Sequence, residues 1–535
     1  MHRVVCVLDI SLLLYAGLHN SSMADALLVI ALLLQTAWTP ALRLKESIEN
    51  GVVEERDGQG VASLASDYYY THYHAQPLKN WLNDPNGPMW FNGVYHLFFQ
   101  YNPEGYNWGD MHWYHMTSTD MLHWKHQPVA LAPDQPYDCG GIFSGSATIF
   151  HNATTGETVP VLTYSVACGK AIVNAFPLDV SDPLLINWTK PSYNPVIPLP
   201  PSVTGGFRDP TTAWQGADKI WRLLVGCGDG EGTCQFKTAD FVSWNYVGAF
   251  HSHGGGMWEC PDFYRLPGTD AWVLKASASG DWWTVGTYTE VSDPTKPDKF
   301  QPVSGNDIHD GNQKYDFGNF YASKAFYDPP KDRMVLFGWV NYRCNGTDWT
   351  GIQTFPRVVA LDAANASKIV SYPLPEIVAI YDGDVAHGTM SLQPGATKTI
   401  GQGGTQLDLS LQITNDGPSM AAVSLSVRAL GTSSLTGGQE VKIGSSASAT
   451  GVFTGTLNGN AFAITEPALS LRLLVDHSVV EAYAQGGRAV ATLPFCPQSA
   501  EDGALILTNT GSTPLTINYQ LAKVQTANVL PTRLA

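Results

Sequence analysis

Three acidic residues stand in sequence surroundings that set them apart from the other carboxylates of the chain. Asp84 lies in NDPNG, Asp209 lies in FRDP and Glu259 lies in WECPDF. Glycoside hydrolysis needs a pair of carboxyl groups at the scissile bond, one ionised as nucleophile or base and one protonated as acid. Aromatic residues crowd both sides of Asp84, which favours a pocket for a sugar ring.

The neighbours of these acids predict how they divide the work. Arg208 should hold Asp209 ionised, and the polar turn predicted around Asp84 should keep that carboxylate ionised too. Trp258 should desolvate Glu259 and raise its pKa, as a general acid requires. The alternative for each acid taken alone is a turn-capping role, because the Asp-Pro pair is common in this chain. It also occurs at Asp182, Asp293 and Asp328.

The sequence between the acids predicts many short β-strands and no substantial helix after the N-terminal segment. Of the 535 residues, 11% are aromatic and 14% are charged, while 51 Gly and 34 Pro supply frequent turns. This composition favours an all-β fold. Apolar, β-rich runs such as GVYHLFFQY, KIWRLLVG and RMVLFGWV are predicted strands.

A weak repeat indicates how the strands are organised. An Asp followed by a Trp recurs at Asp120, Asp182 and Asp240, at a spacing that fits one four-stranded propeller blade. Five such units fit between residues 69 and 380, which predicts a five-bladed β-propeller. The innermost strands of all blades start near one axis, so the three acids can converge there. The alternative is chance recurrence in a chain with 16 Trp.

Both ends of the chain differ from this central region. Residues 385–535 are rich in Ser, Thr, Gly, Leu and Val, and runs such as QLDLSLQIT and ALILTNTG predict a C-terminal β-sandwich. Residues 1–38 carry two apolar runs, each shorter than the roughly 20 residues that span a bilayer. They are predicted to be a signal peptide, or alternatively a retained membrane anchor, followed by a flexible leader over 39–68.

The net charge, the cysteines and the sequons limit which ligands, cofactors and cellular location are expected. The net charge of −17 argues against a nucleic-acid partner. The eight cysteines include no C-x-x-C pair, so neither a metal nor another cofactor is expected, and the disulfide pairing stays open. Contact with a membrane is expected only through the N-terminal segment. Sequons that support a secretory route occur at Asn20, Asn152, Asn187, Asn345 and Asn365.

The blocks WLNDPNG, FRDP and WECPDF, in this order and spacing, resemble the signature blocks of glycoside hydrolase family 32. This is the family of invertases, fructan hydrolases and plant fructosyltransferases. Further blocks, including FSGSATI, YDFGNFYASKAFYDP and GIQTFPR, extend the resemblance from about residue 70 to the C-terminus. It implies a five-bladed propeller followed by a β-sandwich, and hydrolysis with retention of configuration. It makes Asp84 the nucleophile, Glu259 the acid/base and Asp209 the stabiliser of the transition state.

The resemblance also implies a pocket for the fructose unit. Its expected lining is Trp81, Asn83, Gln100, Trp108, Phe143, Ser144 and Arg208. Plant members commonly have Trp where Phe143 stands in this chain. Phe keeps a flat face but lacks the indole N–H donor, which puts water positioning and the choice of acceptor in doubt.

The implied substrates are small carbohydrates, sucrose and fructans, from which a terminal β-D-fructofuranose is released by double displacement. The alternatives are a fructan exohydrolase with little sucrose activity, a fructosyltransferase and a non-catalytic carbohydrate-binding relative. Plant invertases carry an acid and a lysine for the glucose of sucrose, whereas the segment Lys275–Gly286 offers Asp281 alone. We therefore expect weaker binding of sucrose, with Trp282 and Trp283 stacking on the added sugars of fructans.

The sequence carries two opposed indications of location. Pro261 in WECPDF resembles the cell-wall members of the family, whereas vacuolar relatives more often have Val there. The acidic net charge points the other way, because cell-wall invertases are often basic. The expectation is a protein of the secretory pathway, located outside the cell or in the cell wall rather than in the vacuole.

Overall fold

A computed structural model describes residues 67–528, apart from 152–155, 169, 229–231, 255–256, 304, 306, 402–403, 416–422, 432–437, 448–452 and 498–502. The predicted signal peptide or anchor at 1–38 and nearly all of the leader lie outside the described residues, as do the sequons at Asn20 and Asn152. Within the described part of the chain, no helix is long and apolar enough to cross a membrane.

Five sheets of four or five strands follow one another along the first part of the described chain. The first contains β1 (Asn80–Phe91), β2 (Val94–Asn102), β3 (His112–Ser118) and β4 (Lys125–Leu131). The second contains β5 (Ile142–His151), β6 (Thr158–Val166), β7 (Ala171–Pro177) and β8 (Trp188–Thr189). The third contains β9 (Phe207–Arg208), β10 (Trp214–Gln215), β11 (Trp221–Cys227), β12 (Thr233–Thr238) and β13 (Asn245–His251).

The fourth and fifth sheets complete this series. The fourth contains β14 (Glu259–Arg265), β15 (Trp272–Ser277), β16 (Asp281–Thr289) and β17 (Lys299–Pro302). The fifth is built from β18 (Tyr321–Asp328), β19 (Arg333–Val340), β21 (Ile352–Gln353), β22 (Arg357–Asp362) and β23 (Asn365–Pro373). The short strand β20 (Trp349–Thr350) leaves this sheet and pairs in parallel with β1 of the first sheet.

Two six-stranded antiparallel sheets follow. The first has the order β24 (Tyr381–Leu392), β35 (Leu515–Val524), β26 (Gln406–Asn415), β31 (Leu469–Asp476), β32 (Val479–Ala484) and β33 (Ala489–Pro494). The second has the order β25 (Thr397–Ile400), β34 (Ala504–Asn509), β27 (Ser424–Gly431), β28 (Gln439–Ala447), β29 (Phe453–Leu457) and β30 (Asn460–Ala463). Alternating apolar side chains of both sheets, such as Leu409 and Leu507, share one buried core.

The expectation of an all-β fold is confirmed. Helix in the described residues is limited to short 3₁₀ turns at Pro136–Asp138, Pro329–Lys331, Pro375–Ile380 and Gln485–Gly487. The run RMVLFGWV forms β19 over the expected residues, and QLDLSLQIT and ALILTNTG contribute β26 and β34. Alternation and β-branched or aromatic content were therefore sufficient to find these strands.

Neighbouring small sheets share apolar cores, and the last sheet packs back on the first. Phe98 of the first sheet is buried with Leu162 of the second. Leu97 of the first sheet is buried with Phe337 of the fifth. Because β20 also hydrogen-bonds β1, the series of five sheets returns to its start in both packing and backbone pairing.

The Asp–Trp repeat corresponds to a repeated local structure. Asp120 accepts hydrogen bonds from two backbone N–H groups just before β4, and Asp240 does the same just before β13. Asp182 caps the turn that leads to β8 in the second sheet. Each of these aspartates thus fixes the turn that leads into the last strand of a sheet, as a turn-capping carboxylate does.

Three disulfides cross-link the described residues. They join Cys139 to Cys168, Cys227 to Cys234, and Cys344 to Cys496. The last bond ties the loop after β19 to the segment after β33, so it connects the small sheets to the six-stranded ones.

A buried ionic network makes a second connection between the two groups of sheets. His74 lies between Asp476 at 2.8 Å and Glu481 at 3.0 Å, with all three side chains fully buried. Burial would lower the pKa of His74, but the hydrogen bonds and charges of the two carboxylates raise it to about 9. Glu481 also pairs with Arg357 of β22 at 2.8 Å, and Arg357 reaches Asp316 at 2.9 Å.

We expect the substitution His74→Gln to destabilise the fold most at mildly acidic pH. A group whose pKa is raised by folding stabilises fully below its unfolded pKa, about 6.5, and loses this effect as pH rises through its folded pKa, about 9 for His74. Removing one partner of a buried ion pair costs about 3–5 kcal/mol. Thermal midpoints of wild type and variant should therefore differ clearly at pH 6 and converge by pH 10.

The matched control is His123→Gln, because His123 forms an ion pair with Asp120 that is about half exposed. That control should leave the thermal midpoint nearly unchanged at every pH. A pH-independent difference between wild type and His74→Gln would contradict a charged His74.

Candidate active site

Asp84 lies inside strand β1 rather than in the turn that the sequence predicted. The pairing of β1 with β2 is interrupted twice, between Leu82 and Pro85 and between Asn86 and Met89. Pro85 has no N–H for the ladder, so it is accommodated at a β-bulge. The prediction of a turn was wrong because Pro-Asn-Gly, a common turn sequence, here makes irregular strand. The bulges adjoin Asp84 and locally break the strand pairing.

Three side chains donate hydrogen bonds to the Asp84 carboxylate. The Ser144 hydroxyl donates at 2.5 Å, the Asn83 amide at 3.1 Å and the Cys260 thiol at 3.3 Å. Burial in the site raises the pKa of Asp84, and these donors lower it only in part, so the pKa lies above its ordinary value. The expected polar setting exists, but desolvation outweighs it.

Asp209 follows β9 directly and is held by the backbone. Its residue has a left-handed φ of +65°, and its N–H donates to the Ser165 hydroxyl at 2.6 Å. The Cys260 N–H donates to the Asp209 carboxylate at 2.9 Å, and the Cys260 sulfur lies 3.7 Å from the same oxygen. One cysteine therefore contacts both Asp84 and Asp209. We call Asp84, Asp209, Glu259 and Cys260 the acid cluster.

The Arg208 charge favours the ionised form of Asp209, as expected, but burial has the larger effect. Burial raises the pKa of Asp209 to about 6, and the Arg208 charge lowers it by less than burial raises it. The reason is geometric, because Arg208 directs its guanidinium elsewhere. Its Nη2 donates to Glu259 at 2.6 Å, whereas its Nε lies 3.9 Å from Asp209.

Glu259 begins β14 and is held by two donors. Arg208 donates to one carboxylate oxygen, and the Tyr321 hydroxyl donates to the other at 2.7 Å. Burial raises the pKa of Glu259, but the hydrogen bonds from Arg208 and Tyr321 outweigh it, so the pKa lies below its ordinary value. The prediction of a raised pKa was wrong. Trp258 is fully buried in the apolar core with Phe250, so its ring belongs to the packing between sheets.

The expected fructose-binding residues are joined to Asp84 by contacts. The Trp81 indole donates to the Asn83 side-chain oxygen at 2.8 Å, and the Asn83 amide also hydrogen-bonds Gln100. The Trp81 ring packs edge-on against Trp339, with centroids 5.8 Å apart. These bonds fix the orientation of the Asn83 amide that contacts Asp84.

Trp108 and Phe143 form the exposed side of the same set. Trp108 is 56% exposed, and its ring packs edge-on against Phe143 with centroids 5.9 Å apart. Phe143 is followed directly by Ser144, which donates to Asp84. These contacts place the residues expected to line the fructose pocket near the three acids.

A cavity of about 440 Å³ opens beside Glu259. Its lining is Arg208, Met257, Glu259, Ser277, Ala278, Ser279, Trp282, His309 and Tyr321. Beyond Glu259 and Arg208, the lining residues that the structure describes offer hydroxyl groups, rings and apolar side chains, and no further carboxylate or ammonium group. Such a surface can contact a sugar ring through its apolar face and its hydroxyl groups.

The expected contacts of the segment Lys275–Gly286 are partly wrong. Trp282 lines the cavity, as predicted, but Trp283 is only 5% exposed and packs in the core between the fourth and fifth sheets. Asp281 is also buried, paired with Lys275 at 3.3 Å and accepting from the Ser323 N–H at 2.7 Å. It therefore faces the protein interior and is not placed to hold a second sugar.

Sequence reasoning missed Cys260, Tyr321 and His309. Cys260 follows Glu259 directly, so its sequence position was a usable signal, but its role as a bridge depends on the left-handed φ of +45°. Tyr321 and His309 come from distant segments, and nothing local in the sequence indicates that they reach the cavity.

Comparison with known proteins places the chain in a family. A sequence model described as "Glycosyl hydrolases family 32 N-terminal domain" matches residues 74–373, and one described as "Glycosyl hydrolases family 32 C terminal" matches 379–524. The "Acid beta-fructofuranosidase" of Vigna radiata var. radiata is 32% identical over 92% of this chain and 87% of its own length. The "Acid beta-fructofuranosidase 1, vacuolar" of a Rosa hybrid cultivar is 37% identical over 64% and 62%.

Solved structures with a similar fold include fructan-degrading enzymes. The crystal structure of fructan 1-exohydrolase IIa from Cichorium intybus superposes with a TM-score of 0.79 at 28% identity, covering 86% of this chain and 98% of that one. A variant of that enzyme, solved in complex with 1-kestose, superposes with a TM-score of 0.78 at 28% identity, with the same coverage.

Proposed function

This chain belongs to glycoside hydrolase family 32 and is a glycosidase that releases fructose, and we propose how its residues carry out the reaction. The observation that carries the proposal is the acid cluster, in which carboxyl groups from three separate sheets meet around Cys260. Asp84 is the nucleophile, Glu259 the acid/base, and Asp209 accepts hydrogen bonds from hydroxyls of the fructose unit.

The proposed reaction has two displacements. Asp84 forms a bond to the anomeric carbon while the glycosidic bond breaks and Glu259 gives its proton to the leaving oxygen. Glu259 then takes a proton from a water molecule, the water oxygen bonds to the anomeric carbon, and Asp84 leaves. Each displacement inverts the anomeric carbon, so the configuration is retained.

The protonation of the cluster fits an enzyme that works on the acidic side of neutrality. The pKa of Asp209 is raised to about 6, so the cluster retains a proton in mildly acidic solution. Glu259 is 36% exposed in the free site, and a bound sugar would exclude water from it. That desolvation would raise its pKa toward the value that a general acid requires.

The substitution Asp84→Asn tests the nucleophile. It keeps the side-chain volume but cannot form the covalent intermediate, so fructose release from sucrose should fall at least roughly a thousandfold with an unchanged thermal midpoint. The control Asp270→Asn changes a fully exposed carboxylate and should keep wild-type activity. Substantial turnover by Asp84→Asn would overturn the assignment.

The substitution Glu259→Gln tests the general acid. General acid catalysis contributes about 10²–10⁴-fold, so hydrolysis of sucrose should slow by that factor. An aryl fructoside with an acidic phenol as leaving group needs little protonation and should be affected far less. The measurement is the rate of wild type and variant on both substrates at one pH. An equal loss of rate on sucrose and on the aryl fructoside would assign Glu259 another role.

The contact between Arg208 and Glu259 predicts a shift in the pH dependence of kcat/KM. Arg208→Gln removes the strongest contact that lowers the pKa of Glu259, so that pKa rises. The general acid works only when protonated, so the variant should lose activity at a higher pH than the wild type does. The basic limb of the normalised profile should therefore move to higher pH. Tyr321→Phe removes the other donor and should shift the limb in the same direction. A basic limb that stays in place or moves to lower pH would contradict this assignment.

The choice between sucrose and fructans depends on the cavity beside Glu259. With Asp281 buried, the described lining offers no carboxylate, guanidinium or ammonium group beyond Glu259 and Arg208. The Trp282 ring packs edge-on against His309 with centroids 5.1 Å apart, and the Lys314 ammonium lies over the ring, 4.7 Å from its centroid. We propose that short fructans are bound at least as well as sucrose. A fructosyltransferase is the remaining alternative, in which a sugar replaces water at the second step.

The substitution Trp282→Ala tests this proposal. Loss of the ring should lower kcat/KM on 1-kestose more than on sucrose, by roughly tenfold, or about 1.4 kcal/mol of transition-state binding. Product chromatography at low and high sucrose detects transfer as well as hydrolysis. A wild-type preference for sucrose above tenfold, unaffected by Trp282→Ala, would assign the protein as a plain invertase.

The ring of five sheets supports a five-bladed propeller over residues 69–380, and the two six-stranded sheets support a β-sandwich over 385–535. A route through the secretory pathway is supported by exposed sequons at Asn187, Asn345 and Asn365 and by vacuolar relatives. Pro261 favours the cell wall or the outside of the cell as the destination.

A further inference from the structure

A second cavity, also of about 440 Å³, lies at the far end of strands that begin at the active site. Glu259 starts β14 and Arg265 ends it, and Arg265 pairs with Trp272 at the start of β15. Tyr321 starts β18, which runs on to the second cavity through Tyr327. Six residues at about 3.3 Å each separate the two ends of β14 by roughly 20 Å. Along β14 the second cavity is lined from Asp262 onward, and it shares no lining residue with the cavity beside Glu259, so the two are distinct.

Aromatic rings dominate the wall of this cavity. They are Trp214, Phe263, Tyr264, Trp272, Phe326 and Tyr327. Trp272 stacks on Phe263 with centroids 4.7 Å apart, and Trp214 packs against both rings. Tyr327 is 48% exposed at the rim. The packed rings form the floor of the cavity, with Phe263 and Phe326 almost fully buried, and Tyr327 is the ring most open to a ligand. Mutual packing holds the floor in place before a ligand binds.

Charged groups at the rim are already oriented. The Tyr327 hydroxyl donates to Asp332 at 2.8 Å, and Asp332 is fixed in a left-handed turn with φ of +48°. The Arg265 guanidinium is held by the Thr269 carbonyl and by Asp270, both at 2.6 Å. Apolar walls with a few oriented polar groups are the usual features of a small-molecule site.

We propose that this cavity is a non-catalytic binding site for a fructan oligosaccharide. A sugar ring presents C–H groups to aromatic faces and hydroxyls to a carboxylate and a guanidinium, which is what this cavity offers. The net charge of −17 and Asp332 at the rim disfavour an anionic ligand. A lipid chain would cover the charged rim without offering it any hydrogen bond. The choice of fructan among carbohydrates rests on the proposed function.

The site would anchor a polymer while a chain end is hydrolysed elsewhere. Binding is tested in the full-length chain carrying Glu259→Gln, which slows hydrolysis, by affinity electrophoresis in gels containing inulin. Adding Tyr327→Ala should weaken retention roughly tenfold, the loss typical of removing one aromatic anchor. Tyr327→Phe keeps the ring and should retain most of the binding. Asp332→Asn should give an intermediate loss.

Kinetics on the active enzyme supply the second readout. Tyr327→Ala should leave kcat/KM on sucrose unchanged, because the residue is remote from Glu259, while KM for inulin rises. Inulin retention unaffected by both Tyr327→Ala and Asp332→Asn would overturn the proposal, as would equal losses on sucrose and inulin. Failure of the proposed function would appear differently, as an absence of fructose release by the wild-type chain whatever its retention by inulin.

Discussion

The rest of the structure depends on one constraint, the concentration of negative charge in the acid cluster. Carboxylates that meet out of water repel one another and lose hydration, so the acid cluster requires positive charge nearby. Arg208 supplies it from the cavity side. Lys275 and Lys324 supply it from the protein interior. Both are buried, and they donate to the carbonyl oxygens of Cys260 and Pro261. Each of these lysines has its own buried carboxylate partner, which extends the ion pairs into the sheets.

The backbone accepts strain to bring the acids together. Asp209 and Cys260 both have left-handed φ values, of +65° and +45°, and Asp84 sits beside a bulge in β1. Such conformations cost of order 1–3 kcal/mol each and persist where the surroundings fix them. Here the surroundings are the neighbouring sheets, whose backbone and side chains hydrogen-bond Asp84 and Asp209. The ion pairs of His74 and Arg357 tie these sheets to the six-stranded sheets.

Much of the fold and the identity of the acids could be predicted from sequence, because short-range patterns carry both. RMVLFGWV is a strand by alternation alone, and the Asp–Trp units mark the turns before outer strands. Two of the errors, at Trp258 and Trp283, have one physical cause, because adjacent residues of an extended chain point in opposite directions. Trp258 precedes Glu259 but points into the core, and Trp283 follows Trp282 in the same way. Sequence neighbours were therefore poor guides to pKa, which depends on residues such as Tyr321 that arrive from other sheets.

The same buried ion pairs limit what the cavity can recognise. Asp281, the acid expected to hold a second sugar, is engaged by Lys275, because the lysine beneath the acid cluster needs a counter-ion. Apart from Glu259 and Arg208, the cavity surface offers mainly Trp282, His309 and hydroxyl groups, which contact sugars through shape and apolar faces. Charge-assisted bonds favour one sugar in one orientation, whereas ring faces accept a series of related sugars. Under the proposed function, the pairing of Lys275 with Asp281 therefore favours a broad rather than a sucrose-specific second subsite.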